Sequence, residues 1–317
     1  MLSAGYEPGC LEKSKMRLRF RLYRDIGAHG LTALAVLCIL AILAILTGNI
    51  VYHGWEKLTF GFLVEAPSQG MTAGGIFPAI FGTVTLVFIM TVFVVPVGVL
   101  VAIYFSEYAD RGSRFYAISR QAVNNIAGVP SIVVGLFGLG FFVQFIGRGI
   151  DRALYDGAPV WGRPSIIWAA LTLAILTLPV VVVSVEEALQ AVPRSYREAG
   201  YALGSTKSQT IFRVVLPAAM PGVLTGSVLA VSRAAGEVAP ILFVGAAYFL
   251  PHIPTQLTDR FMHLGYHVFI LSTQSPDVDA TKPLLYATVL VLLALTFMLN
   301  AVAVIIRARM RVARRSV

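Results

Sequence analysis

The stretch EAGYALGSTKSQTIFRVVLP, residues 198–217, lies between two strongly apolar regions. With the preceding residues from Glu186 it is the most polar long segment between apolar runs. Its spacing predicts helix–break–helix. One helix continues past Glu186 to Ala191. A second covers about Ser195 to Leu203, with Ser195 and Glu198 three residues apart as a capping box. Gly204 breaks the run, and Ser205 and Thr206 can cap the next helix. Such a segment forms a compact protruding knob suited to docking a partner. GSTKS at 204–208 has the flavour of a phosphate loop. That loop requires Gly, four residues, then Gly-Lys-Ser/Thr after a strand, and neither condition holds. The chain therefore shows no nucleotide-hydrolysing site of its own.

The surroundings explain why a polar knob is conspicuous. The chain has 317 residues, 57% apolar and only 13% charged. Soluble domains carry about 25% charged residues. Six windows are free of charge or nearly so: 30–51, 76–105, 125–147, 165–185, 219–249 with two charges inside it, and 284–306. A helix needs roughly 20 apolar residues to cross a bilayer. The windows are too long and too uniformly apolar for alternating barrel strands of about ten residues. Helices then satisfy the backbone in lipid. The expected fold class is an all-α integral membrane protein with six transmembrane helices.

The net charge of +9 is distributed unevenly. The segment before Gly27, the 106–118 loop, the 191–217 loop and the tail after Ile306 hold 17 Lys and Arg, against 6 on the alternate loops. That asymmetry follows the positive-inside rule with both termini cytoplasmic. The basic balance thus reports topology, and nucleic acid is a poor reading. Cys10 and Cys38 are isolated, so neither a disulfide nor a metal spacing is expected. The first apolar run is 22 residues long and no small-x-small cleavage pattern comes after it, which favours a retained helix over a signal peptide.

The chain divides into a basic cytosolic arm (1–29), a first transmembrane helix (30–51), an outer loop (52–75), a core (76–306) with the cytosolic loop 191–217, and a basic cytosolic tail (307–317). Pro96, Pro130, Pro179 and Pro240 are expected inside helices two to five, and none inside the first and last. Either these kinks line a cavity or they reflect the general frequency of proline in membrane helices. In the outer loop 250–283, QLTDRFMHLGYHVFIL suggests a surface helix. His263 and His267 within it stand four apart, but a metal site needs a third ligand that is not visible.

Glu198-Ala199-Gly200, three residues, Gly204, nine residues, then Val214-Val215-Leu216-Pro217 resembles the EAA loop of ABC importer permeases. The pattern there is Glu-Ala-Ala, three, Gly, nine, Ile-x-Leu-Pro, so Gly200 and Val214 depart from it. GVPSIVVGLFGLG (128–140), GVLVAIYFSEYA (98–109), EEALQAVP (186–193) and LPAAMPGVLTGSVLAVSRAAGEVAPILF (216–243) resemble the PstA-type permeases of phosphate importers. The resemblance implies a type I, MetI-like permease fold and places Glu198, Ala199, Gly200, Gly204, Leu216 and Pro217 in a coupling loop. It also implies three kinds of partner: a second permease of PstC type, ATPase subunits of PstB type that hydrolyse the ATP, and an extracytoplasmic phosphate-binding protein of PstS type. On that reading the chain works in a prokaryotic inner membrane, binds no cofactor and is not itself an enzyme. The resemblance implies the permease subunit of an ATP-driven phosphate importer, forming half of the translocation pathway; a permease for another oxyanion, sulfate or molybdate, is the alternative.

The fifth window contains VSRAAGEVAPILF, residues 231–243. Centring a 20-residue span within 219–249 puts Arg233 and Glu237 near mid-membrane. A charge there costs about 2.5–3.5 kcal/mol, whereas an i,i+4 pair returns only a few tenths. A polar face on the translocation path accounts for the pair better than helix support. Guanidinium matches phosphate oxygens in shape, and Ser227 and Ser232 offer further donors. Glu237 either orients Arg233 or accepts a proton-bearing phosphate oxygen. Arg120 either guides anions or snorkels to the interface. Glu107 is expected to end helix two. Glu186 and Glu187, at the end of helix four, either meet the coupling loop or face solvent. A membrane-embedded enzyme using Glu237 and a stand-alone secondary transporter are the readings of other classes; the 195–217 loop argues against both.

Overall fold

The computed structural model describes residues 8–68, 73–275 and 278–313, with only the backbone described for 8–28 and for a few positions of the last helix. Most of the basic arm and tail, with the Cys10 side chain, therefore lies outside the described side chains. Helix α1 (Pro8–Gly54) is one continuous rod. It carries the first of six helices long and apolar enough to cross a membrane, His29–Lys57. The others among the described residues are Phe77–Tyr108, Ser131–Leu154, Ile166–Gln190, Lys207–Gly236 and Thr281–Val302. The six apolar windows thus correspond one to one with these helices.

After α1 come a short helix α2 (Phe60–Val64) and the antiparallel pair β1 (Pro67–Ser68) and β2 (Ala73–Gly74). Helix α3 (Phe77–Ile103) has Pro78 in its first turn, where no backbone donor is needed, and ends in a π-helical turn over Tyr104–Tyr108. The amphipathic α4 (Arg114–Gly128) has no buried residue. The third span is α5 (Ser131–Gly138), a π-helical stretch over Leu139–Gly147, and α6 (Arg148–Leu154). Then come α7 (Ile166–Gln190), α8 (Arg194–Ala202), α9 (Lys207–Thr210), a π turn (Ile211–Val215) and α10 (Leu216–Gly236). Two further helices, α11 (Leu264–Thr273) and α12 (Val278–Ala313), complete the chain.

The chain forms two compact units, Met1–His53 and Gly54–Val317. Helix α7 is the axis of the second. Leu173, Val181, Val182, Val185 and Leu189 are fully buried between α3 and α10, and Thr172 and Thr177 return their hydroxyls to carbonyls one turn earlier. In lipid the drive for helix association is close packing rather than water exclusion, so small residues sit at the contacts. A Cβ on Gly98 would fall 2.6 Å from Val181 Cγ1, and one on Gly222 would fall 2.2 Å from Ala188 Cβ. A second apolar cluster of Phe62, Ile76, Met262, Leu264, Ile270 and Leu284 gathers around α11.

Three expectations are corrected. Only Pro96 and Pro179 of the four prolines lie inside helices. Pro130 precedes α5, because the residue before a proline is driven to extended backbone, and Val129 adopts φ −75, ψ 132. Pro240 lies in a 3-10 turn beyond α10, and Pro221 is the internal proline there. The last helix is not free of proline, since α12 contains Pro283. The outer-loop helix is shorter than QLTDRFMHLGYHVFIL and is not on the surface. Residues 261–275 carry no charge that would hold them in water, and Phe261, Met262, His263 and Leu264 are buried. The Leu264 amide donates to Thr83 Oγ1 of α3 at 2.9 Å.

Candidate functional site

The coupling segment is built by its turns. Pro193, with φ fixed near −56, starts α8 at Arg194 without a side-chain cap. The expected Ser195–Glu198 capping box is therefore not formed: Ser195 already lies inside the first turn, where it cannot cap. Gly204 has φ +80, a left-handed conformation that costs a residue with a Cβ. That turn lets the Gly204 amide reach Tyr201 O at 2.9 Å and the Ser205 amide reach Gly200 O at 3.1 Å, the two bonds of a Schellman motif. Thr206 and Gln209 then form a reciprocal capping box for α9. Gly200, where the EAA pattern has Ala, is buried against Thr210. A Cβ there would lie 2.9 Å from the threonine side chain.

Arg197, a residue the sequence reading passed over, fastens α8. Its Nε lies 3.2 Å from both Glu107 carboxylate oxygens, and Nη2 lies 2.6 Å from Oε1. Nη1 and Nη2 also donate to Val192 O and Leu189 O, each at 2.9 Å. One guanidinium thus joins α8 to the ends of α3 and α7. The motif-adjacent position of Arg197 was a signal. Its partner, 90 residues away, could not be inferred from spacing. Lys207 adds a cation–π contact over Tyr108, 4.8 Å from the ring centroid.

The outward side of α8 is exposed. Glu198 and Ala199 are exposed, as are Tyr196, Tyr201 and Leu203, the last at 87%. Beside α8 is a cavity of about 800 Å³ between the end of α7 and the start of α10, lined by Tyr196, Arg213, Pro217 and Pro221 among others. Leu216 and Pro217 form the first turn of α10, where a proline is tolerated. Glu186 is buried and does not meet α8. It pairs with Arg120 of α4, whose guanidinium carbon stands 5.7 Å from the Phe105 ring centroid, and it accepts from Gln190 Nε2 at 3.0 Å. Glu187 is exposed.

Arg233 and Glu237 lie at the C-terminal end of α10 rather than at the middle of a helix. Helix α10 ends at Gly236, with Glu237 as an extended cap and Pro240 beyond it. Arg213 and Arg233 bracket 19 charge-free residues, about 28 Å of helix. Arg233 therefore stands at the end of the span remote from α8. The charge-free window runs on past Glu237, but as turns, and that displaced the estimated centre. Arg233 Nε and Glu237 Oε1 are 3.2 Å apart, with side chains 46% and 22% exposed. Ser227 Oγ donates to Val223 O at 3.0 Å. Ser232 Oγ lies 2.8 Å from Val228 O and also contacts Asn300 Oδ1 of α12. The two serines are thus engaged within the bundle and do not converge with Arg233 and Glu237. The ring nitrogens of His263 and His267 are buried and have no hydrogen-bond partner among the described residues, and desolvation lowers the pKa of each to about 4. No group of three metal-ligating side chains occurs among the described residues.

Six apolar spans and a polar knob pinned to two of the core helices define the class: a multi-pass membrane protein. The chain belongs to the family of binding-protein-dependent transport system inner membrane components, which matches residues 94–312. It is 32% identical over 267 residues to the probable ABC transporter permease protein YqgI of Bacillus subtilis strain 168, covering 80% of this chain and 85% of that one. It is also 32% identical over 261 residues to the phosphate transport system permease protein PstA of Yersinia pestis, covering 82% and 81%. In three dimensions it resembles a chain of the bacterial alginate ABC transporter solved with its alginate-bound periplasmic protein. The TM-score is 0.65 at 15% identity, over 90% of this chain and 96% of that one. The fold is that of a type I ABC importer permease.

Proposed function

We propose that this chain is one permease half of an ATP-driven phosphate importer. The observation that carries the reading is α8, an outward-facing helix fastened through Arg197 to α3 and α7. The phosphate permeases among its relatives supply the cargo. The chain itself is non-catalytic. A PstC-type permease completes the pathway, PstB-type subunits bind and hydrolyse ATP, and a PstS-type binding protein delivers phosphate. The arm and tail are both cytoplasmic, in keeping with the distribution of Lys and Arg.

Closure of the ATPase pair displaces α8. Because the Arg197 guanidinium is bonded at once to Glu107 and to two carbonyls at the end of α7, that displacement moves the cytosolic ends of α3 and α7 as one body. The packed α7–α10 contact carries it to the remote end of α10. There Arg233 offers a forked donor to an anion, while Glu237 holds the guanidinium and limits its grip. A carboxylate beside the arginine also favours an anion that keeps a proton near neutral pH, as phosphate does and sulfate does not.

The test is ATP hydrolysis by the complex purified with its bound subunits, measured with the binding protein and phosphate, sulfate or molybdate. Stimulation by phosphate alone supports the assignment. Stimulation by sulfate or molybdate instead would reassign the cargo.

A further inference from the structure

The third span carries a strip that the transport reading leaves unused. Phe137, Phe141 and Phe145 recur every fourth residue, and their rings stack along the helix with centroids 5.2 Å and 6.0 Å apart. All three are exposed. Past Phe145 the surface opens at Gly149, where a Cβ would meet nothing within 4 Å. It ends at Arg152. Gln144, Phe145, Gly149, Ile150 and Arg152 line a groove of about 610 Å³.

Arg148 stands one turn before Arg152. Its stem packs against Gly162, where an added Cβ would lie 2.7 Å from Arg148 Cγ. Both arginines are exposed, and among the described residues neither has an ion-pair partner. The adjacent Asp151 is buried and occupied elsewhere, accepting from the Trp161 and Gly162 amides at 2.8 and 2.7 Å. Tyr155 and Trp161 come soon after, and such rings gather at the headgroup level of a bilayer. Two uncompensated guanidinium groups thus stand where lipid phosphates lie, at the end of an aromatic strip at acyl-chain depth.

We propose that this strip is a binding site for an anionic phospholipid. An acyl chain lies along Phe137, Phe141 and Phe145. The headgroup phosphate pairs with Arg148 and Arg152, and the Gln144 amide donates to a headgroup oxygen. Charge complementarity selects this occupant. A second apolar helix on the strip would bury two unpaired guanidiniums, and a free anion would leave the ring row uncovered. A zwitterionic lipid brings its own cation to the same place and so gains less.

The experiment uses the complete importer complex in detergent, with dioleoyl-phosphatidylglycerol, dioleoyl-phosphatidylcholine or inorganic phosphate added at equal concentration. Lipid retained is read by native mass spectrometry, and the shift in thermal midpoint is read alongside. The wild type is expected to retain phosphatidylglycerol about tenfold better than phosphatidylcholine. The Arg148→Gln/Arg152→Gln pair loses that preference, and the Arg148→Lys/Arg152→Lys pair keeps part of it. Phe141→Ala weakens retention of both lipids. Equal retention of the two lipids by wild type, or a preference that survives the glutamine pair, overturns the proposal. So does an equal thermal shift from inorganic phosphate. Loss of the second permease from the glutamine-pair complex also overturns it, by assigning the strip to a protein contact.

Discussion

A single guanidinium, that of Arg197, ties three segments of the chain together. Its side chain is 17% exposed and that of Glu107 is 7% exposed. Removing one partner of such a pair leaves the other charge stranded, which costs about 3–5 kcal/mol in a buried setting. Arg197→Gln should therefore lower ATP-dependent phosphate uptake at least about tenfold while ATP hydrolysis persists, the mark of lost coupling. Arg197→Lys should recover little, because a point charge cannot span a carboxylate and two carbonyls. Paired uptake and hydrolysis assays on one reconstituted sample check both. Arg233→Gln tests a different role: uptake falls while docking of the ATPase subunits stays normal. Normal phosphate transport with normal coupling in that variant would remove Arg233 from the pathway.

At the scale of elements, α8 depends on its glycine turn and α11 on neutral histidines. Gly204→Ala forces a Cβ into the left-handed region and should cost about 1 kcal/mol, read as a lower thermal midpoint with the ATPase subunits still bound. At the start of α11 and within it, His263 and His267 stay neutral down to about pH 4, whereas an exposed imidazole titrates near 6.5. The undocked segment therefore binds more protons between those limits. Stability is full above about pH 6.5 and falls as pH drops toward 4, by up to about 1.4 kcal/mol per pH unit for each ring. Thermal midpoints at pH 7.5, 6 and 5 should drop together in the wild type and flatten in His263→Phe/His267→Leu. An unchanged slope in that variant would place the acid sensitivity elsewhere.

The same elements mark how much could be read from residue order alone. Gly204 and Thr206 announced the turn and the cap because their effects are local. The six spans were visible because charge-free length decides them. The end of α10 was missed because residues 238–249 stay apolar while leaving the helix, and apolar character does not distinguish a buried turn from a span. Arg197 with Glu107, and Arg120 with Glu186, were hidden for another reason. Each pair joins residues far apart in the chain, and only the packing of α3, α4, α7 and α8 brings them together.

At the scale of the whole molecule, the chain is a permease subunit, and on the proposed function its knob and its pathway lie at opposite ends of α10 and the helices packed on it. On that reading, the separation of Arg197 from Arg233 along the bundle puts force and cargo in different places. The proposed function then has the energy arrive from a docked subunit. The direct measurement is phosphate accumulation in proteoliposomes holding the complete complex, with the binding protein and ATP on opposite sides of the membrane. The account predicts uptake against a gradient that stops when either ATP or the binding protein is withheld. Phosphate uptake by this chain without ATPase subunits, driven by an ion gradient alone, would contradict it.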